Sequence, residues 1–182
     1  MMVYIYFNNR VEMLELILGP MYSGKTTTLL QHVGANTLVV NHSFDTRTGN
    51  SIRSHDGIEA PAIKCTHIRD LPRTYDTVLV DEAQFFESLE GVEDLAPHVV
   101  VAGLSGDFMR RPFGKILDLI PKADKITFLQ AVCACGAPAR FTQRVSTEDD
   151  LVSVSSAYIP ACAQCWKGVE GVAKNDGGKP AE

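Results

Sequence analysis

The feature that most restricts this chain is Gly19-Pro20-Met21-Tyr22-Ser23-Gly24-Lys25-Thr26, a match to G-x-x-x-x-G-K-[ST]. The apolar run 14–18 precedes it and suits a buried parallel strand; a helix is expected after it, over about 25–33. In that setting the glycines let backbone N–H groups turn inward around phosphates, and the helix N-terminus adds partial positive charge. Lys25 is then placed to reach β- and γ-phosphates, and the Thr26 hydroxyl to ligate Mg²⁺. A chance glycine turn lacks these flanking elements.

Three further short runs rich in valine and leucine, at 37–41, 77–80 and 98–102, are each bounded by turn or polar residues and read as strands. Strands alternating with helices give an α/β fold with a parallel sheet. The run 77–80 ends in Asp81-Glu82, two carboxylates at the carboxyl edge of the sheet, where open α/β folds hold ligands. Asp81 is placed to orient Mg²⁺ through water and Glu82 to face the nucleophile.

A chain of 182 residues, 45% of them hydrophobic, buries one substantial core with room for one small module. The net charge of −5 argues against a protein that wraps a nucleic-acid backbone. The apolar opening 1–7 has no basic residue before it and no small-residue cleavage site, and reads as an edge strand or loose arm. No apolar run of about 18 residues is present, so a soluble, cytoplasmic protein is expected. Beyond 130 the texture changes to cysteines and small polar residues. Four of the five cysteines, Cys133, Cys135, Cys162 and Cys165, cluster there. Without an export signal, such thiols more often bind metal than form disulfides. Cys65 stands apart as an expected buried apolar filler. The expected division is an ATP-binding unit over 1–130, a cysteine-bearing unit over 131–168, and a disordered tail over 169–182.

Asp81-Glu82-Ala83-Gln84 also looks like the acidic box of a helicase, but the remaining length holds no second motor domain. Over about 14–166 the chain resembles the type II thymidine kinases in a series of motifs taken in order. Gly-Pro-Met-Tyr-Ser-Gly-Lys-Thr is followed by Asp45-Thr46-Arg47, Ser54-His55-Asp56-Gly57 and Asp81-Glu82-Ala83-Gln84-Phe85-Phe86. Ala102-Gly103-Leu104, Asp107-Phe108, Arg111-Pro112-Phe113-Gly114, Ala131-Val132-Cys133 and Phe141-Thr142-Gln143-Arg144 complete it.

The resemblance implies a RecA-like P-loop domain with a small zinc-ribbon and lasso domain. It also implies transfer of the ATP γ-phosphoryl group to the 5′-hydroxyl of thymidine, with deoxyuridine accepted too, usually in a homotetramer subject to inhibition by dTTP. Glu82 matches the family's general base and Asp45 a carboxylate near the metal. Arg47 and Arg144 match phosphate-contacting arginines. Met21, Leu104, Phe108, Phe113 and Thr142 match the thymine pocket, with Phe85 and Tyr158 flanking the base. By composition alone Phe108 and Phe113 read as ordinary core.

Two departures stand out. The first cysteine pair is Cys133-Ala134-Cys135 where the family has C-x-x-C. Residues i and i+2 of an extended segment point to one side, so four-cysteine Zn²⁺ is still expected. The lasso stretch 152–158 is shortened and lacks the family's glycines. A zinc-ribbon nucleic-acid binder requires basic and aromatic residues around the cysteines, where only scattered arginines stand. A kinase for another deoxynucleoside remains an alternative, because a changed lasso alters base choice.

Overall fold

The computed structural model describes residues 13–45, 49–54, 56–145 and 158–168. Its centre is a six-stranded parallel sheet. The strands are β1 (Met13–Gly19), β2 (Thr37–His42), β5 (Ile63–Cys65), β6 (Thr77–Asp81), β7 (His98–Leu104) and β8 (Lys125–Phe128), in the order β5-β2-β6-β7-β1-β8. Between β2 and β5 the short strands β3 (Ser51–Arg53) and β4 (Glu59–Pro61) form an antiparallel pair. The protein is thus of the α/β class.

The middle strands are covered on both faces, which is why they read as continuous aliphatic runs. Leu14, Leu16, Leu18, Val78, Val80, Val99 and Val101 fill one face with Phe86, Leu89, Val92 and Ile116. Ile17, Val39, Leu79, Val100 and Ala102 fill the other, beneath Leu29 and Leu30 of α1 (Lys25–Leu30). Each fully buried aliphatic side chain of this kind contributes about 1.5–3 kcal/mol.

The helical layer is thinner than the sequence suggests. Among the described residues α1 is the one α-helix, and the other connections carry 3₁₀ turns at Ile68–Asp70, Ala83–Phe85, Val92–Asp94 and Ile116–Lys122. The expected helix over 25–33 stops at Leu30, because the amides of Gln31, His32 and Val33 each bond the carbonyl three residues back. That tightening follows three β-branched threonines, Thr26, Thr27 and Thr28, which favour helix weakly. Cys65 is half-buried rather than buried; it packs against the larger core, and burial pushes its thiol up. No helix among the described residues is long and apolar enough to cross a membrane.

After the sheet come two small antiparallel pairs. β9 (Ala131–Val132) pairs with β10 (Pro138–Ala139), and β11 (Phe141–Arg144) with β12 (Tyr158–Ala161). The opening 1–12, Thr46, Arg47, Thr48, His55, residues 146–157 with all of the lasso stretch but Tyr158, and the tail 169–182 lie outside the described residues.

Candidate active site

Gly19 ends β1, and the loop that follows enters α1 through Gly24, whose φ of 81° is left-handed backbone that glycine adopts without cost. Within the loop the Ser23 hydroxyl donates to the Pro20 carbonyl at 2.9 Å, and Lys25 Nζ donates to that oxygen at 2.7 Å. The Lys25 ammonium is therefore folded back over the loop it serves. Met21 N–H donates to Thr142 Oγ1 at 3.1 Å, which ties the loop to β11.

The Thr26 hydroxyl bonds Asp81 Oδ2 at 2.9 Å across the sheet edge. Parallel pairing in the order β6-β7-β1 makes this possible, since Asp81 ends β6 and the start of α1, with Thr26, follows the carboxyl end of β1. Asp81 is 3% exposed; burial and then the neighbouring Glu82 charge raise its pKa from 3.8 to about 7. Beside it on β2, in register, Asn41 Nδ2 donates to the buried Asp45 carboxylate at 2.8 Å. Asn41 Oδ1 is buried with no hydrogen-bond partner among the described residues. A hydrated cation fits this edge: it offers two carboxylates, a hydroxyl and an unsatisfied acceptor.

Glu82 leaves the strand with φ of 52°, so its side chain turns away from that of Asp81. Among the described residues three non-glycines have left-handed backbone, and Tyr22 and Glu82 are two of them. Strain of this sort gathers where a side chain must be aimed. Glu82 Oε2 accepts from Gln84 Nε2 at 2.6 Å, and Gln84 Oε1 accepts from Leu104 N–H at 2.9 Å. Gln84, 3% exposed, thus fastens the Glu82 carboxylate to the end of β7. Gly114 lies so close that a Cβ there would stand 2.2 Å from the Gln84 carbonyl oxygen. The motif 81–86 by itself gives Gln84 no role, because its neighbours Leu104 and Gly114 come from distant segments.

The expected nucleoside-pocket residues fall into two groups. Met21, Phe108 and Tyr158 form one small cluster, with Phe108 and Tyr158 rings 6.2 Å apart, and Thr142 joins it through the Met21 amide. The Arg144 guanidinium lies over the Phe108 ring at 5.0 Å. Phe85 and Phe113 meet edge to face at 5.9 Å, with Phe44 5.3 Å from Phe85. Leu104 connects to the acidic turn through Gln84. Arg47 lies outside the described residues.

The four clustered cysteines converge, with sulfurs all within 4.8 Å of one another. Cys135 and Cys162 sulfurs are 3.7 Å apart, close to the edge of about 3.8 Å that a tetrahedron with 2.3 Å Zn–S bonds requires. The first pair meets by a different route from strand alternation. Cys133 to Gly136 form a tight turn, closed by Gly136 N–H on the Cys133 carbonyl at 2.8 Å, with Gly136 at φ 85°. Backbone N–H groups of Cys135 and Cys162 pull the Cys133 thiol down to about 6. Hydrogen bonding to the other three sulfurs pushes Cys165 up to about 12. The cluster therefore already favours a thiolate at Cys133, the ligating form.

A glycine-rich loop ending a parallel strand, a lysine over it and a strand-end aspartate bonded to its threonine define a P-loop nucleotide-binding protein. The family model described as thymidine kinase matches residues 12–166. "Thymidine kinase a" of Arabidopsis thaliana is 37% identical over 171 residues, covering 81% of this chain and 72% of that one. "Thymidine kinase, cytosolic" of Homo sapiens is 36% identical, covering 84% and 72%, and "Thymidine kinase" of Myxoma virus is 33% identical, covering 84% and 95%. The chain belongs to the thymidine kinase family.

Proposed function

We propose that the protein transfers the γ-phosphoryl group of ATP to the 5′-hydroxyl of thymidine, giving dTMP and ADP, with deoxyuridine as a second acceptor. The observation that carries this reading is the acid pair. Asp81 is bonded to the phosphate-loop threonine, while Glu82, one residue on, is turned aside and held by Gln84. Phosphoryl transfer needs one carboxylate on the nucleotide side and a base aimed at the acceptor hydroxyl. In this proposal Glu82 takes the 5′-hydroxyl proton as that oxygen attacks phosphorus. Residues 19–26 cradle the phosphates, and Lys25, Arg47 and Arg144 neutralise their charge.

Mg²⁺ supplies charge neutralisation at the phosphate oxygens, and Thr26, Asp81 and Asp45 are the residues that would hold it. Met21, Leu104, Phe108, Phe113 and Thr142 line the base site, with Phe85 and Tyr158 beside it. The four cysteines hold a structural Zn²⁺ in the unit 131–168, while 1–130 binds ATP. A cytoplasmic homotetramer inhibited by dTTP completes the proposal on the strength of the family resemblance. The test is direct: with Mg-ATP labelled at the γ-phosphate, label should appear in dTMP only when thymidine is present. ATP hydrolysis without transfer to any nucleoside would overturn the reading.

A further inference from the structure

One strand end carries a group that the phosphoryl-transfer chemistry leaves unused. Glu15 sits in β1 among aliphatic residues yet is 6% exposed. Strand alternation puts it on the face of Ile17, the face covered by α1. Met13 is in register with His98 and Glu15 with Lys125, so His98 and Lys125 flank Glu15 on that same face. The chain leaving α1 returns over the same spot as His32. Glu15 Oε1 lies 2.9 Å from His98 Nε2, and Lys125 Nζ donates to Glu15 Oε2 at 2.6 Å. The His32 and His98 rings meet edge to face with centroids 5.6 Å apart. One ligand atom from each of Glu15, His32 and His98 lies within 4.8 Å of the others.

We propose that Glu15, His32 and His98 bind one divalent transition-metal ion of the Zn²⁺, Co²⁺ or Ni²⁺ class. Two imidazole nitrogens and a carboxylate oxygen are the donor set such ions prefer. Bonds of about 2.0–2.1 Å require donor separations of roughly 3.3 Å, within reach of small rotations of two half-exposed imidazoles. Lys125 occupies the second carboxylate oxygen, which fixes Glu15 as a one-oxygen ligand and orients it, as outer partners of metal ligands commonly do. The partial exposure of both histidines leaves an entry path and a fourth position for water. The ion would clamp the α1 exit to the amino ends of β1 and β7. Glu15 lies four strand residues from Gly19, about 13 Å from the phosphate loop, so this site is separate from nucleotide chemistry. Its donors are also separate from the four cysteines.

The experiment uses the untagged full chain, washed with a mild chelator and titrated with Co²⁺ by calorimetry and visible absorption. About one Co²⁺ per chain should bind with weak ligand-field bands and without sulfur-to-metal charge transfer. Affinity should fall about tenfold or more in His32→Gln and in His98→Gln, while Cys135→Ser leaves this binding unchanged. Circular dichroism confirms that each variant is folded. His32→Gln, at a half-exposed position beyond the helix, carries the test if His98→Gln is unstable. Absence of this ion, affinity unchanged by His32→Gln, or bands that carry thiolate charge transfer would each overturn the proposal.

Discussion

Asp81 and Glu82 are adjacent in sequence and differ because their backbones do. Asp81 finishes β6 and stays in the sheet edge, bonded to Thr26; Glu82 turns through φ 52° and is fastened to Gln84. In the proposed reaction Glu82→Gln keeps the shape and removes the base, so kcat should fall by about 10²-fold or more with KM for ATP little changed. Near-normal turnover in that variant would refute the base assignment. Asp81 carries a different liability. Its folded pKa is raised from 3.8 to about 7, so between about pH 4 and pH 7 the folded state holds a proton that the unfolded state has lost. Stability from this group therefore declines as pH rises across that window, and the full cost is felt above it. Asp81→Asn removes the cost while keeping an acceptor for Thr26. Without ligands the variant should be more stable than the parent at pH 8, by on the order of 1–3 kcal/mol, with the gain vanishing toward pH 4. Urea unfolding at the two pH values measures this; a gain independent of pH would contradict the burial argument.

At the level of elements, what was readable in the sequence depended on burial. β1, β2, β6 and β7 are covered on both faces and appear as aliphatic runs; the acidic turn after β6 follows from the same pattern. β5 and β8 are the outermost strands of the sheet, three and four residues long and without a fully buried residue, so they carry no such run. Three of the 3₁₀ connections are unreadable because nothing in a three-residue turn repeats with helical period. The phosphate loop was legible from fixed spacing, whereas the Gln84 bridge depends on the end of β7, twenty residues away. Strand alternation at Cys133-Ala134-Cys135 predicts a converging pair, and the sulfurs do converge, but through the turn closed by Gly136 rather than an extended segment. That turn fixes an expected outcome for the proposed zinc. Purified protein should hold about one Zn²⁺ in the cysteine cluster, lost in Cys135→Ser. A strong chelator should loosen residues 131–168 before the sheet, as hydrogen exchange would register. Fully active protein with no metal in the cluster would remove zinc from the account.

For the whole molecule, the proposed base site draws on both the sheet and the small strand pairs. Met21 N–H on Thr142 and Trp166 Nε1 on the Phe108 carbonyl, at 3.1 Å and 3.3 Å, pin the two parts to each other. Arg110 reinforces the joint, its guanidinium 4.0 Å over the Phe141 ring and 5.1 Å from the Trp166 ring. Arg144 and Tyr158 are in register across β11 and β12, so the two ends of the intervening segment stand one strand spacing apart beside Phe108. Residues 146–157 between them offer few long side chains able to read a base edge. In the proposed function, reading must then fall to peptide groups of that segment. Thymine presents acceptors at O2 and O4 and a donor at N3. Cytosine places an amino donor where O4 stood and an acceptor at N3, so two buried peptide groups would face partners of the wrong kind. Each such mismatch costs about 1–3 kcal/mol, and the pair supplies roughly 10²- to 10⁴-fold discrimination. The thymine methyl is a weaker handle, since one apolar carbon against Met21 and Thr142 is worth about 1 kcal/mol. Deoxyuridine should therefore lose about tenfold or less in kcat/KM relative to thymidine, and deoxycytidine at least about a hundredfold. Comparison of kcat/KM for the three nucleosides under saturating Mg-ATP decides it: deoxycytidine used within tenfold of thymidine would mean that peptide groups in one register do not read the base.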